Sequence, residues 1–281
     1  MEDDFDREII ITPINDYTRT DIVFEPPIVE HVPSFNERTE ENTVTLAEST
    51  EDVSKKPITA SLYKMPSTVK SPTATYYCHI NWENSFQNWP LVRFSTPMDN
   101  NCLFHSIANS FFEPYHSEKL NGKSMNRKNM VLHLRKELSK KLASKIDESN
   151  PNSPRYYDVL NGGNTSSFAE AVPEFALEYM QNQLESQVPI GYGYMEYIGD
   201  VLNKDIYILE AARKDIYKTD ELHLTIKGNR RSIILYYMNG HYELVGVHNP
   251  NDTFDTHFAS DHSLIRFLNS RVQQLITDLR Q

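Results

Sequence analysis

The chain has 281 residues and a net charge of −11, enough for one sizeable core or two small ones at roughly 100–200 residues per domain. Its apolar fraction of 39% lies below the globular norm of about 45–50%, so part of the chain is expected to stay outside any core. No run of about 18 apolar residues occurs, so nothing reads as a membrane span. Two cysteines, Cys78 and Cys102, make neither a disulfide framework nor a zinc site.

The charge is uneven. Residues 1–52 carry 15 acidic side chains against Arg7, Arg19 and Arg38, a balance of −12 that leaves about +1 for the other 229 residues. An acidic tail argues against nucleic acid as its partner, because phosphates call for Lys and Arg. The opening Met-Glu-Asp-Asp-Phe-Asp has no apolar stretch of the kind a secretory signal needs. With so few cysteines, this predicts an intracellular, cytoplasmic protein whose thiols stay reduced.

Residues 1–75 read as a disordered acidic tail and linker. Glu, Thr, Pro and Ser dominate, and the isolated apolar groups cannot offset ordering entropy. The group Ile22-Val23-Phe24-Glu25-Pro26-Pro27-Ile28-Val29 reads first as a few apolar residues in a floppy tail, and second as a short docking segment that orders on a partner, whose identity is open. From Tyr76 aromatic and aliphatic residues become dense, and the folded domain, 76–281, is expected to begin there.

Asn100 to Phe112 reads as an amphipathic helix. Asp99, Asn100 and Asn101 are all good cap types, and Leu103, Phe104, Ile107, Ala108, Phe111 and Phe112 share one face. Asn126 to Glu148 is a second helix with a buried stripe of Val131, Leu134, Leu138, Leu142 and Ile146. Lys128, Arg135, Lys136, Lys140, Lys141 and Lys145 form its other, solvated face.

Residues 149–166 are Asn-, Pro-, Ser- and Gly-rich and read as a loop. Ser167-Phe168-Ala169-Glu170 opens a third helix as a capping box, kinked or restarted at Pro173. Tyr194 to Asn203 is a short helix. Strands follow at 205–210, 232–238 and 241–247, the last two joined by Asn239-Gly240, a strong hairpin signal. Ser260 to Leu279 closes the chain as a helix. Helices before a small antiparallel sheet predict an α+β domain.

A thiol reacts as its thiolate, and a helix start lowers thiol pKa through unpaired N–H groups and the helix dipole. Cys102 has that placement. The same N–H groups can hold an oxyanion, and Asp99 can brace the loop by accepting backbone hydrogen bonds. Of the ten histidines, His241 opens a strand just after a tight turn, and Glu243 shares its face. His105, three residues after Cys102, is the rival base, with nothing evident to orient it. A lone cysteine is more often an inert buried residue, so residue types and spacing alone leave the nucleophile open.

The run Asp99-Asn100-Asn101-Cys102-Leu103-Phe104-His105 resembles the Asp-Gly-Asn-Cys-Leu-Phe motif of the ovarian tumour (OTU) family of deubiquitinases. Gly240-His241-Tyr242-Glu243 resembles that family's second block, and Gly191-Tyr192-Gly193-Tyr194-Met195-Glu196 its middle block. The resemblance covers about residues 90–250. It implies a papain-like cysteine protease fold, an antiparallel-rich sheet flanked by helices, with Cys102 as nucleophile, His241 as general base and Asp99 as the third marked position.

It also implies ubiquitin, or ubiquitinated proteins, as partner, and neither metal nor organic cofactor. Divergent family members with acidic tails occur in large DNA viruses, which would place such a chain in host cytoplasm. The sequence departs from the motif at Asn100, where glycine is usual and which tolerates positive φ. It departs again at Glu243, where Asp or Asn is usual, and at Tyr192, where tryptophan is common. The implied activity is hydrolysis of isopeptide bonds at the C-terminus of ubiquitin. Two other readings stand beside it: a catalytically weak ubiquitin-binding module, and a virion or scaffold protein acting through its tail.

Overall fold

A computed structural model describes residues 56–58, 75–120 and 122–279. Most of the expected tail and linker, with the 22–29 segment, lies outside the described residues. Strands β1 (Lys56–Ile58), β2 (Thr75–His79) and β3 (Leu91–Phe94) come first, then helices α1 (Cys102–Phe111) and α2 (Glu113–Ser117). A small ribbon of β4 (Lys119–Leu120) and β5 (Lys123–Ser124) leads into α3 (Arg127–Leu142), α4 (Tyr156–Val159), α5 (Thr165–Ala171), α6 (Leu177–Glu185) and α7 (Met195–Leu202). The chain then returns through β6 (Lys204–Glu210), β7 (Asp215–Ile216), α8 (Leu222–Thr225), β8 (Arg231–Met238), β9 (His241–His248) and β10 (Phe254–Asp255), and ends on α9 (Ser263–Leu279).

The sheet runs β1-β2-β3-β9-β8-β6-β7, with β10 also on β9. Every neighbouring pair is antiparallel except β6 with β8. The expected α+β architecture, an antiparallel-rich sheet flanked by helices, is therefore observed. It is wider than expected. β2 and β3 come from the aromatic-dense stretch that carries no clean alternation, and β1 from a segment read as linker.

Strand alternation sorts the core into two layers. Ile206, Ile208, Ile233, Leu235 and Tyr242 face α1, α3, α6 and α7, where Phe104, Ile107, Leu138 and Leu184 are buried. Tyr207, Leu209, Ile234, Val245 and Val247 face the other way, against Leu264, Leu268, Val272 and Leu275 of α9. A sheet covered on both faces needs apolar residues at consecutive positions. That is why β6 and β8 read as near-continuous apolar runs.

The Asn239-Gly240 turn forms as its composition requires. Both residues take positive φ, 52° and 82°, the requirement of a type I′ hairpin, and Met238 pairs with His241. Several expectations are corrected. α3 stops at Leu142 rather than Glu148, and the chain folds back so that Ile146 N donates to Pro154 O (2.9 Å) and Tyr156 N to Ser144 O (3.1 Å). The 149–166 segment is not simply loop, since buried Tyr156, Tyr157 and Leu160 anchor α4 and the turn after it. The third helix begins at Thr165, not at a Ser167 cap, and ends at Ala171. Pro173 then opens a separate 3-10 turn, so the restart option holds. Among the described residues no helix is long and apolar enough to cross a membrane.

The largest correction concerns Arg135, read as part of the solvated face of α3. It is fully buried. Its Nε donates to Leu184 O (2.8 Å), its Nη2 to Gln183 O (2.8 Å), Val188 O (3.0 Å) and Ser186 O, and its Nη1 to Asn101 Oδ1 (3.0 Å). The guanidinium also lies over the Phe104 ring. Helical periodicity places a residue on a helix face but cannot say that a neighbouring segment of carbonyls will cover it.

Candidate active site

Cys102 is the first residue of α1 and is buried. The backbone N–H of Tyr242 donates to its Sγ at 3.4 Å. This contact seats the first residues of β9 on the helix start, so the backbone next to His241 meets Cys102, 139 positions away in sequence, although no direct contact joins the imidazole to the sulfur. Ser106, one turn along α1, shares its single hydroxyl hydrogen between Cys102 O (2.8 Å) and Tyr242 O (3.2 Å). The same strand residue is thereby tied to the helix a second time.

The helix start does not leave the thiol with a depressed pKa. Burial raises it and outweighs the N–H groups of Tyr242, Leu103 and Cys102, which lower it, while Asp99 raises it further. The expectation of a depressed thiol pKa is corrected on this point. Burial likewise lowers the His241 pKa, with Glu243 pulling it up and Arg93 pushing it down. A low-dielectric site disfavours either charge alone.

Asp99 stands apart from His241. Its Oδ1 accepts from Asn101 N (3.1 Å), which is the bracing role foreseen for it. Its Oδ2 lies 3.2 Å from His105 Nε2. His105 is in turn buried, with Nδ1 2.8 Å from the Tyr115 hydroxyl. Both its nitrogens are therefore occupied, and the absence of an orienting group expected for His105 is corrected. Its place is behind the loop, not at the thiol.

Asn100 has φ 63°, the left-handed conformation that glycine supplies most readily and asparagine tolerates. Asn101 sits at the cap position but makes no side-chain cap bond. Its Oδ1 receives Arg135 and its Nδ2 donates to Asp99 O (3.0 Å). The N–H of Asn101 is taken by Asp99. The helix-start N–H groups of Cys102 and Leu103, close enough to lower the sulfur pKa, are the donors left for an oxyanion.

Glu243 shares the His241 face, as strand period requires. Its Oε1 is 3.8 Å from His241 Nε2, beyond hydrogen-bond reach, and its Oε2 pairs with Arg93 of β3. The nearest partner of Nε2 is Thr96 Oγ1 at 3.3 Å. Sequence reasoning missed Arg93, Thr96 and Arg135. No local signal marks them, because each acts on residues distant in the chain. Tyr192 stacks on Tyr217 (5.2 Å between centroids) and its hydroxyl lies 3.1 Å from Thr225 Oγ1. Glu196 of α7 accepts from Asn161 N (2.9 Å) and is buried. Both residues of the middle block are thus structural supports.

No family model and no curated protein matches the chain. Solved structures similar to it include OTU domains. An ovarian tumour domain in complex with ubiquitin is similar at 19% identity, over 73% of this chain and 94% of its own, with a TM-score of 0.43. The viral OTU domain protease from Taggert virus is similar at 14% identity, over 64% of this chain and 92% of its own, with a TM-score of 0.32. The Hazara virus OTU bound to ubiquitin is similar at 11% identity, over 62% and 89%, with a TM-score of 0.34.

Proposed function

We propose that the protein is a cysteine isopeptidase that releases ubiquitin from lysine side chains, with Cys102 as nucleophile and His241 as general base. The observation that carries this is the Tyr242 N–H to Cys102 Sγ contact of 3.4 Å. It brings a thiol at a helix start against the strand end that bears a half-buried histidine. The motif resemblance around both residues supplies the substrate class.

The chemistry is acyl transfer through a thioester. His241 takes the Cys102 proton, and the thiolate attacks the carbonyl carbon of the ubiquitin C-terminal glycine. The oxyanion develops toward the N–H groups of Cys102 and Leu103. The His241 imidazolium then protonates the lysine nitrogen as its bond to carbon breaks, which leaves a thioester on Cys102. Water gives a proton to His241 and attacks the thioester, and the departing thiolate recovers that proton. Neither charge is favoured alone in the buried site, but each stabilises the other once the proton has moved. In this reading the ion pair forms as the proton moves from sulfur to nitrogen. Asp99 acts as a brace of the Asn100–Asn101 loop, not as a partner of the base.

The buried thiol and the commitment of Glu243 to Arg93 support one competing reading, a ubiquitin-binding module with weak turnover. A ubiquitin probe with an electrophilic C-terminus separates the two. Labelling is expected for the wild type and for Cys78→Ala, whose site is on β2, and none for Cys102→Ala. Labelling that survives Cys102→Ala overturns the nucleophile assignment. A wild type that binds ubiquitin yet stays unlabelled establishes the binding module.

A further inference from the structure

We propose that Thr96, rather than Glu243, holds His241 in the tautomer that can accept the thiol proton. This rests on His241 being the base for Cys102. Thr96 is half-buried and lies two residues past the end of β3. Its hydroxyl has one hydrogen. Oγ1 is 2.6 Å from Tyr242 O, and a carbonyl oxygen only accepts, so the hydrogen points there. Toward His241 Nε2, 3.3 Å away, the same oxygen can offer only a lone pair. Nε2 therefore carries the imidazole proton, and Nδ1 is left with the lone pair that a thiol proton needs.

The other groups around the ring do not compete for Nε2. Glu243 on the same strand is at 3.8 Å, Arg93 of β3 is engaged with Glu243, and Cys102 of α1 takes the Tyr242 N–H. The two carboxylate oxygens are thus divided. One is held by Arg93, and the other faces the ring through space, where it stabilises the imidazolium without selecting the neutral tautomer. Thr96 has a second effect through the same hydroxyl. It holds the Tyr242 carbonyl, which also receives Ser106 Oγ (3.2 Å), and the N–H of that residue rests on Cys102 Sγ. One side chain therefore orients the imidazole and pins the residue against which the sulfur sits.

The test uses the full chain and two substitutions. Thr96→Val keeps the shape and removes both bonds, whereas Thr96→Ser keeps the hydroxyl. Long-range proton–nitrogen NMR of the labelled imidazole at pH 8 is expected to show His241 protonated on Nε2 in the wild type, in Thr96→Ser and in Glu243→Gln. In Thr96→Val a mixture of tautomers is expected. Alkylation of Cys102 by iodoacetamide at pH 7, resolved from Cys78 by mass spectrometry, is expected to slow about five- to tenfold in Thr96→Val, the scale of one lost neutral hydrogen bond, and to recover in Thr96→Ser.

A wild-type His241 protonated on Nδ1 overturns the proposal. So does a Thr96→Val protein with unchanged tautomer and unchanged alkylation, or a tautomer that shifts in Glu243→Gln. None of these readouts involves ubiquitin. If they come out as expected while the ubiquitin probe fails to label Cys102, the isopeptidase function falls and the role of Thr96 stands.

Discussion

Arg135→Met is the sharpest test of how the site is supported. The guanidinium is fully buried, and burial pulls its pKa down to about 10. Asn101 Oδ1 and Leu184 O receive its buried hydrogen bonds, and Gln183 O, Ser186 O and Val188 O receive partly buried ones. Methionine keeps the unbranched aliphatic stem, ends near the position of Nε, and has no donor. Water can reach the partly buried carbonyls, so the cost falls on the two buried acceptors at about 1–3 kcal/mol each. Relief of the desolvation of an arginine without a carboxylate against it offsets part of this, which leaves a net loss of about 3 kcal/mol. For a domain of this size that is a fall in Tm of about 6–12 °C. Urea unfolding and thermal melting measure it. Arg135→Lys is expected to lose nearly as much, since an ammonium cannot span acceptors that a planar fork reaches. Iodoacetamide alkylation of Cys102 should slow as well, because Asn101 immediately precedes it. An Arg135→Met protein within about 1 kcal/mol of wild type, a small effect by the scale of single substitutions, would refute the assignment of Arg135 as the tie between α3, the 183–188 segment and the nucleophile loop.

Two further outcomes bear on stability. His116 is buried, its Nε2 lies 3.0 Å from Asn109 O, and burial lowers its pKa to about 4. The unfolded state binds a proton here below its ordinary pKa of about 6.5 while the folded state does not, so stability falls as pH drops through that window. The loss from this group is about 3 kcal/mol between pH 7 and pH 4. Denaturant midpoints measured across that range should show it, and His116→Gln should flatten the curve by that share. Gly240 takes φ 82° in the hairpin that delivers His241. Gly240→Ala is expected to cost about 1–2 kcal/mol for a left-handed alanine and to slow probe labelling of Cys102. A urea midpoint unchanged from wild type would contradict the type I′ turn.

Much of the framework follows from local pattern. The β8–β9 hairpin and the α9 stripe are each set by a few adjacent residues, since Asn-Gly and 3.6-residue spacing act within one turn or one helix. Local pattern put Cys102 near a helix start and His241 at a strand start, and the motif resemblance around both residues singled them out as the candidate pair. Asn100 could be recognised as a positive-φ position because asparagine is among the few side chains that tolerate it.

What only the tertiary structure decided concerns groups that meet across long stretches of chain. The direction of the Cys102 pKa shift is set by burial, which outweighs the helix-start N–H groups and depends on how β9 covers α1. Glu243 has the right strand parity to face His241, but parity cannot foresee that Arg93 from β3 takes one of its oxygens. His105 carries the spacing of a base and ends as a buried partner of Asp99 and Tyr115. Arg135 has the periodicity of a solvated lysine-rich face and lies under the 183–188 carbonyls. Periodicity fixes direction about a helix or strand, whereas hydrogen-bond partners and local dielectric depend on which distant segment arrives there.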